Sequence, residues 1–291
     1  MPFPSSIKFR LKALAAATVW AWGPETLLRV LARSGVMVGS TLVVHSSWLP
    51  YNGFRGKPAD LVRALKKAVG PEGLLVMTSM PYHNMTSAEW LARGKAMNVL
   101  RSPSMMGLVT EVFRRSPGVV RSLSATHPLL AWGSHAEAFI AGHENTDKPF
   151  GPDSPFARLL ECDALILGLD APFSSFTFTH FVEDCLSDTL PVALYAPEHR
   201  RGVVVDPAGI THEQRLRVLS DEANALRHEE RLVERLKAGG VLHQGRVGNT
   251  RLTWIRARDL LAGARALVAD GVHFFDAPGK SLSGMNAYGN R

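Results

Sequence analysis

The sequence predicts an α/β fold, and three observations carry that prediction. The chain of 291 residues is 46% hydrophobic and 20% charged, a balance that supports a packed core and excludes disordered, collagen-like and coiled-coil classes. Residues 41–77 read as strand, helix, strand, the unit of a parallel sheet. No Pro/Gly/Ser-rich linker divides the interior, so residues 35–276 are expected to form one domain, with a basic amphipathic helical leader at 1–34 and a flexible tail at 277–291.

In the leader, Ile7, Leu11, Leu14, Thr18 and Trp22 recur at helical spacing, Gly23-Pro24 breaks the run, and a second helix is expected over 25–33. Lys8, Arg10, Lys12, Arg29 and Arg33 face Glu25 alone, so most of the chain's net charge of +7 sits here. Two readings stay open: a stripe packed on the domain, or peripheral contact of the N-terminal helix with an anionic membrane surface. The segment is too short to span a bilayer and has no clean signal-peptide cleavage pattern. Export is therefore not expected, and two cysteines without C-x-x-C spacing suit a reducing, cytoplasmic setting.

Thr41 to Val44 reads as a buried strand delivering His45, Ser46 and Ser47 at its carboxyl end, the end that faces the ligand crevice in open α/β sheets. A helix over 59–69 with Leu61, Leu65 and Val69 on one side, a turn at Gly70-Pro-Glu-Gly73, and a strand over 74–77 follow. Further elements are a helix over 106–115, a strand over 164–167, a helix after Thr179, a long polar helix over 211–237 and a last helix over 257–269.

Absent motifs narrow the chemistry. No G-x-G-x-x-G follows a strand and no G-x-S-x-G supplies a hydrolase elbow. Gly279-Lys-Ser281 lacks the first glycine and the helix of a phosphate-binding loop. The eleven histidines show neither H-x-H nor H-E-x-x-H spacing, so no metal is expected. Despite a pI near 9.7 there is no basic run interleaved with aromatics, and nucleic acid is not an expected partner.

Local spacing singles out Thr177-x-x-His180-x-x-Glu183. If Thr177 caps a helix, His180 lies in its first turn, with Glu183 and Asp184 on the same face to orient the ring. The same residues would also serve merely to close a helix end. Ser102 and Ser104, around Pro103, place hydroxyls and N–H donors where a helix begins, suited either to phosphates or to an ordinary cap.

Ordered blocks add specificity. They are Gly35-Val-Met-Val-Gly39 with Leu42-Val-Val-His-Ser-Ser47; Arg101-Ser-Pro-Ser-Met-Met-Gly107 with Arg121-Ser122, Thr126-His127 and Ala131-Trp-Gly133; His143 with Pro149-Phe-Gly-Pro-Asp-Ser-Pro155; and Thr177-Phe-Thr-His-Phe-Val-Glu183. Together they resemble the aminoglycoside 3-N-acetyltransferase family over roughly residues 35–275. The resemblance implies a three-layer α/β sandwich with a mixed central sheet, acetyl-CoA as co-substrate, and direct transfer of the acetyl group to the amine of a small-molecule acceptor. It implies His180 as general base, with Glu183 and His45 in the catalytic set. From their own chemistry, Ser46 and Ser47 would offer hydroxyls and N–H groups to coenzyme A or only stabilise their turn, and Ser102 and Ser104 would join them at coenzyme A. Arg121, His127 and Asp184 are expected in the acceptor pocket, with a structural salt bridge the equal alternative for Arg121 and His127.

Two segments depart from the family pattern. Ser124-Ala125 and Pro128 replace the usual residues around Thr126-His127, and the loop from Asp170 to Phe176 is longer and more aromatic. The basic balance also sits poorly with a polycationic aminoglycoside. Three readings follow: acetylation of an aminoglycoside, acetylation of an amino sugar in a larger anionic molecule, or binding of coenzyme A without catalysis.

Overall fold

The computed structural model describes residues 5–278. Its strands are β1 (Thr41–Ser46), β2 (Leu74–Thr78), β3 (Met97–Asn98), β4 (Val120–Arg121), β5 (Leu129–Trp132), β6 (Leu165–Leu169), β7 (Arg200–Val205), β8 (Thr211–Leu216), β9 (His243–Val247) and β10 (Thr250–Arg256). Seven of them form one mixed sheet in the order β4-β5-β2-β1-β6-β10-β9, and β3-β7-β8 form a smaller sheet. At the centre, β2, β1 and β6 run parallel, with Leu42 opposite Leu75 and Leu165, and Val43 opposite Val76 and Ile166. The outer strands join them antiparallel.

The central strands are apolar over Leu42–Val44, Leu74–Met77 and Leu165–Leu167 because both faces of the sheet are covered there. Val43, Val76, Ile166 and Ile255 face a core completed by Leu159, Val182, Leu236, Leu260 and Ala264. Leu42, Val44, Leu75, Met77 and Leu167 point the other way, into a core shared with Leu27, Leu31, Leu61, Leu65 and Phe113. The period-2 alternation of the strands thus feeds two helical layers, and the expected three-layer sandwich with a mixed central sheet is the fold observed. A third core, around Trp90, Met97, Val204 and Leu216, supports the small sheet.

Three expectations about elements need correction. Residues 211–237 are not one helix. Thr211-His-Glu-Gln-Arg-Leu216 pairs antiparallel with β7, and its alternation buries Gln214 and Leu216. Ser220 then caps the helix Asp221–Leu226 by accepting from Ala223 N, and a second helix runs Glu229–Ala238. The density of charge masked the strand's period, because the buried partner of Leu216 is an amide. Gln214 accepts from Ala125 N at 2.8 Å and donates to the carbonyls of Leu123 and Glu144, so it sits in the core fully bonded.

The leader is the second correction. The helix Ser5–Ala17 does not lay a stripe on the domain: Leu11 and Leu14 are 54% and 62% exposed, and Phe9, on the opposite side, is 57% exposed. The helix is apolar and basic all round rather than amphipathic. The next helix, Pro24–Arg33, belongs to the domain, since Leu27 and Leu31 are buried beneath it and each contributes roughly 1.5–3 kcal/mol on leaving water. The third concerns helix starts, taken up with the site below. Of the expected tail, 277–291, residues 279–291 lie outside the described residues, as does Gly279-Lys-Ser281. Among the described residues no helix is long and apolar enough to cross a membrane.

Candidate active site

The carboxyl ends of three adjacent parallel strands open into a cavity of about 600 Å³. β1 brings Val44 to Ser46 and the following Ser47, β2 brings Thr78 and the following Met80, and the loop after β6 brings Ala171, Ser174, Ser175 and Thr177. Met105, Met106, Gly107 and Thr110 close one side, and His83, His127 and His180 complete the wall. A crevice at these strand ends is where a doubly covered parallel sheet leaves room for a ligand.

His180 is the second residue of the short helix Thr179–Cys185. Thr177 is not its cap: the helix starts after Phe178, His180 N bonds Thr177 O, and the hydroxyl bonding at this end is Thr179 to Phe176 O. The imidazole Nδ1 lies 2.9 Å from Glu183 Oε2, one turn on, while the ring remains partly exposed toward the cavity. Glu183 is 1% exposed and is gripped from behind by Arg227, Nε to Oε1 at 2.6 Å and Nη2 to Oε2 at 3.0 Å. Arg227 is itself fixed by Asn224 Oδ1 at 3.0 Å and by the Phe275 ring.

The electrostatics of this relay are one-sided. Burial alone would push the Glu183 carboxyl up, but the charges and hydrogen bonds of His180 and Arg227 more than offset it and hold the group at about 2. An ionised Glu183 accepts only, so His180 Nδ1 must be the donating nitrogen and Nε2 the one with a free lone pair. Of the two carboxylates expected to compete for the ring, Glu183 is the one bonded. Asp184 turns away to Lys148 Nζ at 3.3 Å and does not line the cavity.

His45 and His127 are both buried in the cavity wall. His45 stacks on Phe176 with ring centres 5.2 Å apart, and burial lowers its pKa to about 4. His127 is driven well below the usual histidine range by burial first and then by the neighbouring His180 and His143. Its Nε2 is 3.2 Å from Tyr82 Oη. Phe150 lies between the rings of His127 and His180, 4.6 Å from one and 5.0 Å from the other. His45 Nε2 and His127 Nδ1 are buried atoms with no hydrogen-bond partner among the described residues.

The other sequence expectations divide. Ser46 and Ser47 line the cavity; Ser102, Ser104 and Arg121 do not. The helix expected from 106 begins at Leu108, after Gly107, whose φ of 112° suits glycine. Ser102 Oγ instead accepts from Asn98 N at 2.9 Å. Ser104 N donates to Glu111 Oε2 at 2.8 Å, a carboxylate held at about 2 by Arg114. That anion occupies the amide a phosphate would need. Arg121 spends its guanidinium on backbone carbonyls, those of Ser79, Val99 and Ser102, and so braces the 98–105 loop from beneath. Burial brings it down to about 9, a cost borne by a brace and not by a solvent-facing ligand group.

Sequence reasoning missed Arg227, which reaches Glu183 across 44 positions with no local signal. It also missed Tyr82, and the hydroxyls of Thr110, Ser174 and Ser175. The aromatic loop at 170–176 was a usable signal for the last two, since Phe173 and Phe176 anchor it in the core and leave the serines to the cavity. Among the described residues no group of three or more His, Cys, Asp or Glu is placed to hold a metal ion.

A partly exposed imidazole backed by a buried carboxylate–guanidinium pair thus stands at the strand ends of a three-layer sandwich. The chain belongs to the aminoglycoside 3-N-acetyltransferase family, whose model matches residues 43–269. It is 32% identical over 176 residues to aminoglycoside N(3)-acetyltransferase VII of Streptomyces paromomycinus, 55% of this chain and 61% of that one, so it spans about three fifths of that relative's length. It is 30% identical over 255 residues to aminoglycoside N(3)-acetyltransferase IV of Salmonella sp, covering 84% of this chain and 87% of the relative. Among solved structures it is similar to AAC-VIa bound to sisomicin, at 26% identity and a TM-score of 0.67 over 86% of this chain and 98% of that one. It also shares its fold with AAC-IIIb in a binary complex with CoASH, at 22% identity and a TM-score of 0.71 over 88% and 99%.

Proposed function

We propose that the protein is an acetyl-CoA-dependent N-acetyltransferase acting on an amine of an aminoglycoside or related amino sugar, by direct transfer with His180 as general base. The observation that carries this is the His180–Glu183–Arg227 relay facing a cavity whose described lining contains neither cysteine nor lysine.

The donor set suits a thioester co-substrate. Ser46, Ser47, Thr110, Ser174 and Ser175 share the lining with Met80, Met105 and Met106, a mixture of hydroxyls and apolar side chains suited to a pantetheine arm of amides and methylenes. Acetyl-CoA supplies an acetyl group activated as a thioester. The acceptor nitrogen adds its lone pair to the carbonyl carbon, forming the C–N bond while the C=O pair moves onto oxygen. His180 Nε2 takes the proton that the nitrogen must shed, and Glu183, kept ionised by Arg227, stabilises the imidazolium formed. Re-forming C=O expels the sulfur as thiolate, which leaves with or acquires that proton.

The acceptor is narrowed by one further observation. Among the described residues lining the cavity there is no Asp, Glu, Lys or Arg, and the carboxylates behind it, Glu183 and Asp184, already hold the chain's own cations. A lining without fixed charge pairs neither with a polycation nor with an anion, and this favours an amino sugar of low charge over a polycation. Free Cys162 and Cys185 suit a reducing, cytoplasmic setting.

The test is thiol release from acetyl-CoA with aminoglycosides and with simple and nucleotide-linked amino sugars. Amine-dependent release, reduced by about 10²–10⁴ in His180→Ala, is expected. Coenzyme A binding without release to any amine would instead fit a non-catalytic relative.

A further inference from the structure

We propose that His127, fixed by Tyr82 as the tautomer protonated on Nδ1, is the side-chain donor to the oxygen that gains charge during acyl transfer, with Tyr82 as its positioning residue. This rests on the acyltransferase reading above.

Of the four imidazoles in the cavity wall, His127 and His180 flank Phe150, and only His180 is built as a base. His180 has a carboxylate on Nδ1, which leaves Nε2 as an acceptor. His127 has the opposite arrangement. Its Nε2 faces the Tyr82 hydroxyl at 3.2 Å, and that phenol is 6% exposed with no other hydrogen-bond partner among the described residues. A buried hydroxyl with one neighbour donates to it rather than leaving its proton unpaired. Nε2 therefore accepts, and the ring proton sits on Nδ1, a buried atom without a hydrogen-bond partner among the described residues.

The surroundings hold this geometry. Tyr82 stacks on Trp90 with ring centres 5.6 Å apart, and the indole N–H is tied to Ala125 O at 2.9 Å. The backbone N of His127 donates to Ser124 Oγ, and Phe150 fills the space between His127 and His180. Burial, with the neighbouring imidazoles, keeps the ring neutral at physiological pH, so it offers one donor and no charge. A neutral donor with no partner among the described residues, on a cavity-lining ring close to the base, is what a developing oxyanion requires. His45 also leaves a buried nitrogen unpaired, but it stacks on Phe176 and no hydroxyl fixes its tautomer.

The test joins a spectroscopic and a kinetic arm. Nitrogen-15 spectra of the histidine rings in the full chain report which ring nitrogen of His127 is protonated. Nδ1–H is expected in the wild type, and a mixture of tautomers in Tyr82→Phe. Under acetyl-CoA turnover, His127→Ala is expected to lower kcat by about 10²–10³ with both KM values within about threefold. His127→Asn, whose amide N–H stands near the lost Nδ1–H, should recover at least tenfold of that loss, and Tyr82→Phe should lower kcat about tenfold. The proposal is overturned by an Nε2–H tautomer in the wild type, by an unchanged kcat in a folded His127→Ala, by a folded His127→Asn that recovers none of the loss, or by losses confined to acceptor KM. A wild type that releases thiol to no amine overturns the acyltransferase reading and the proposal with it, whereas an active wild type indifferent to His127 overturns the proposal alone.

Discussion

Glu183 shows how a single buried carboxylate organises this site. It is ionised in the core because it bonds His180 on one side and Arg227 on the other, so removing Arg227 strands a charge. Arg227→Ala is therefore expected to lose about 3–5 kcal/mol of stability as well as activity, measured by urea denaturation beside a turnover assay. A variant with full stability and full turnover would mean the guanidinium is dispensable. Glu183→Gln keeps the shape but offers Nδ1 an amide, and its kcat is expected to drop with little change in KM. His180 and Glu183 were legible in the sequence because a spacing of three places both on one helical face. Arg227 was not legible, since a contact between distant segments leaves no local period. Ser104 misled because its amide precedes a helix in sequence yet is already bonded to Glu111.

At the scale of elements, the parallel strands announced themselves by unbroken apolar runs, while β8 did not. Its inward residue Gln214 is polar, and only the three hydrogen bonds it makes explain why it is buried. The helices near the N-terminus separate by packing rather than by sequence. Leu27→Ala is expected to cost about 2–5 kcal/mol in chemical denaturation. Deleting residues 1–16, whose described apolar side chains are exposed, should change stability by less than about 1 kcal/mol. The two segments are joined at a tight spot: a Cβ at Gly248, where φ is 57°, would stand 2.1 Å from Trp20 O. Gly248→Val should accordingly destabilise the fold and loosen Trp22 from the Asn52–Phe54 loop, seen as a change in tryptophan emission.

The whole molecule carries its buried imidazoles as a pH signature. His45 and His143 titrate at about 4 in the folded chain against about 6.5 when unfolded, chiefly because burial disfavours the charged form. Between those values the unfolded chain binds more protons, so this contribution is fully present above about 6.5 and is lost as the pH falls toward 4. Glu111 and Glu183, held at about 2, add a loss as the pH falls from about 4.5 toward 2. The urea midpoint should thus drop steadily below pH 6.5, and His143→Gln, outside the cavity, should flatten the slope between 6.5 and 4. A midpoint that stays level from pH 7 to 5 would contradict this. At this scale the parallel centre of the sheet was legible in its apolar runs and the three layers in the family resemblance, whereas the acceptor was not legible, because its cavity is assembled from five separate segments.

The most direct measurement of the central claim is amine-dependent release of free thiol from acetyl-CoA by the wild type and by His180→Ala, with coenzyme A binding measured on both. The account predicts turnover by the wild type, a loss of about 10²–10⁴ in kcat in the variant, and retained coenzyme A binding. Equal turnover in the two proteins would contradict the assignment of His180 as base, and no binding of coenzyme A by either would contradict the acetyltransferase site itself.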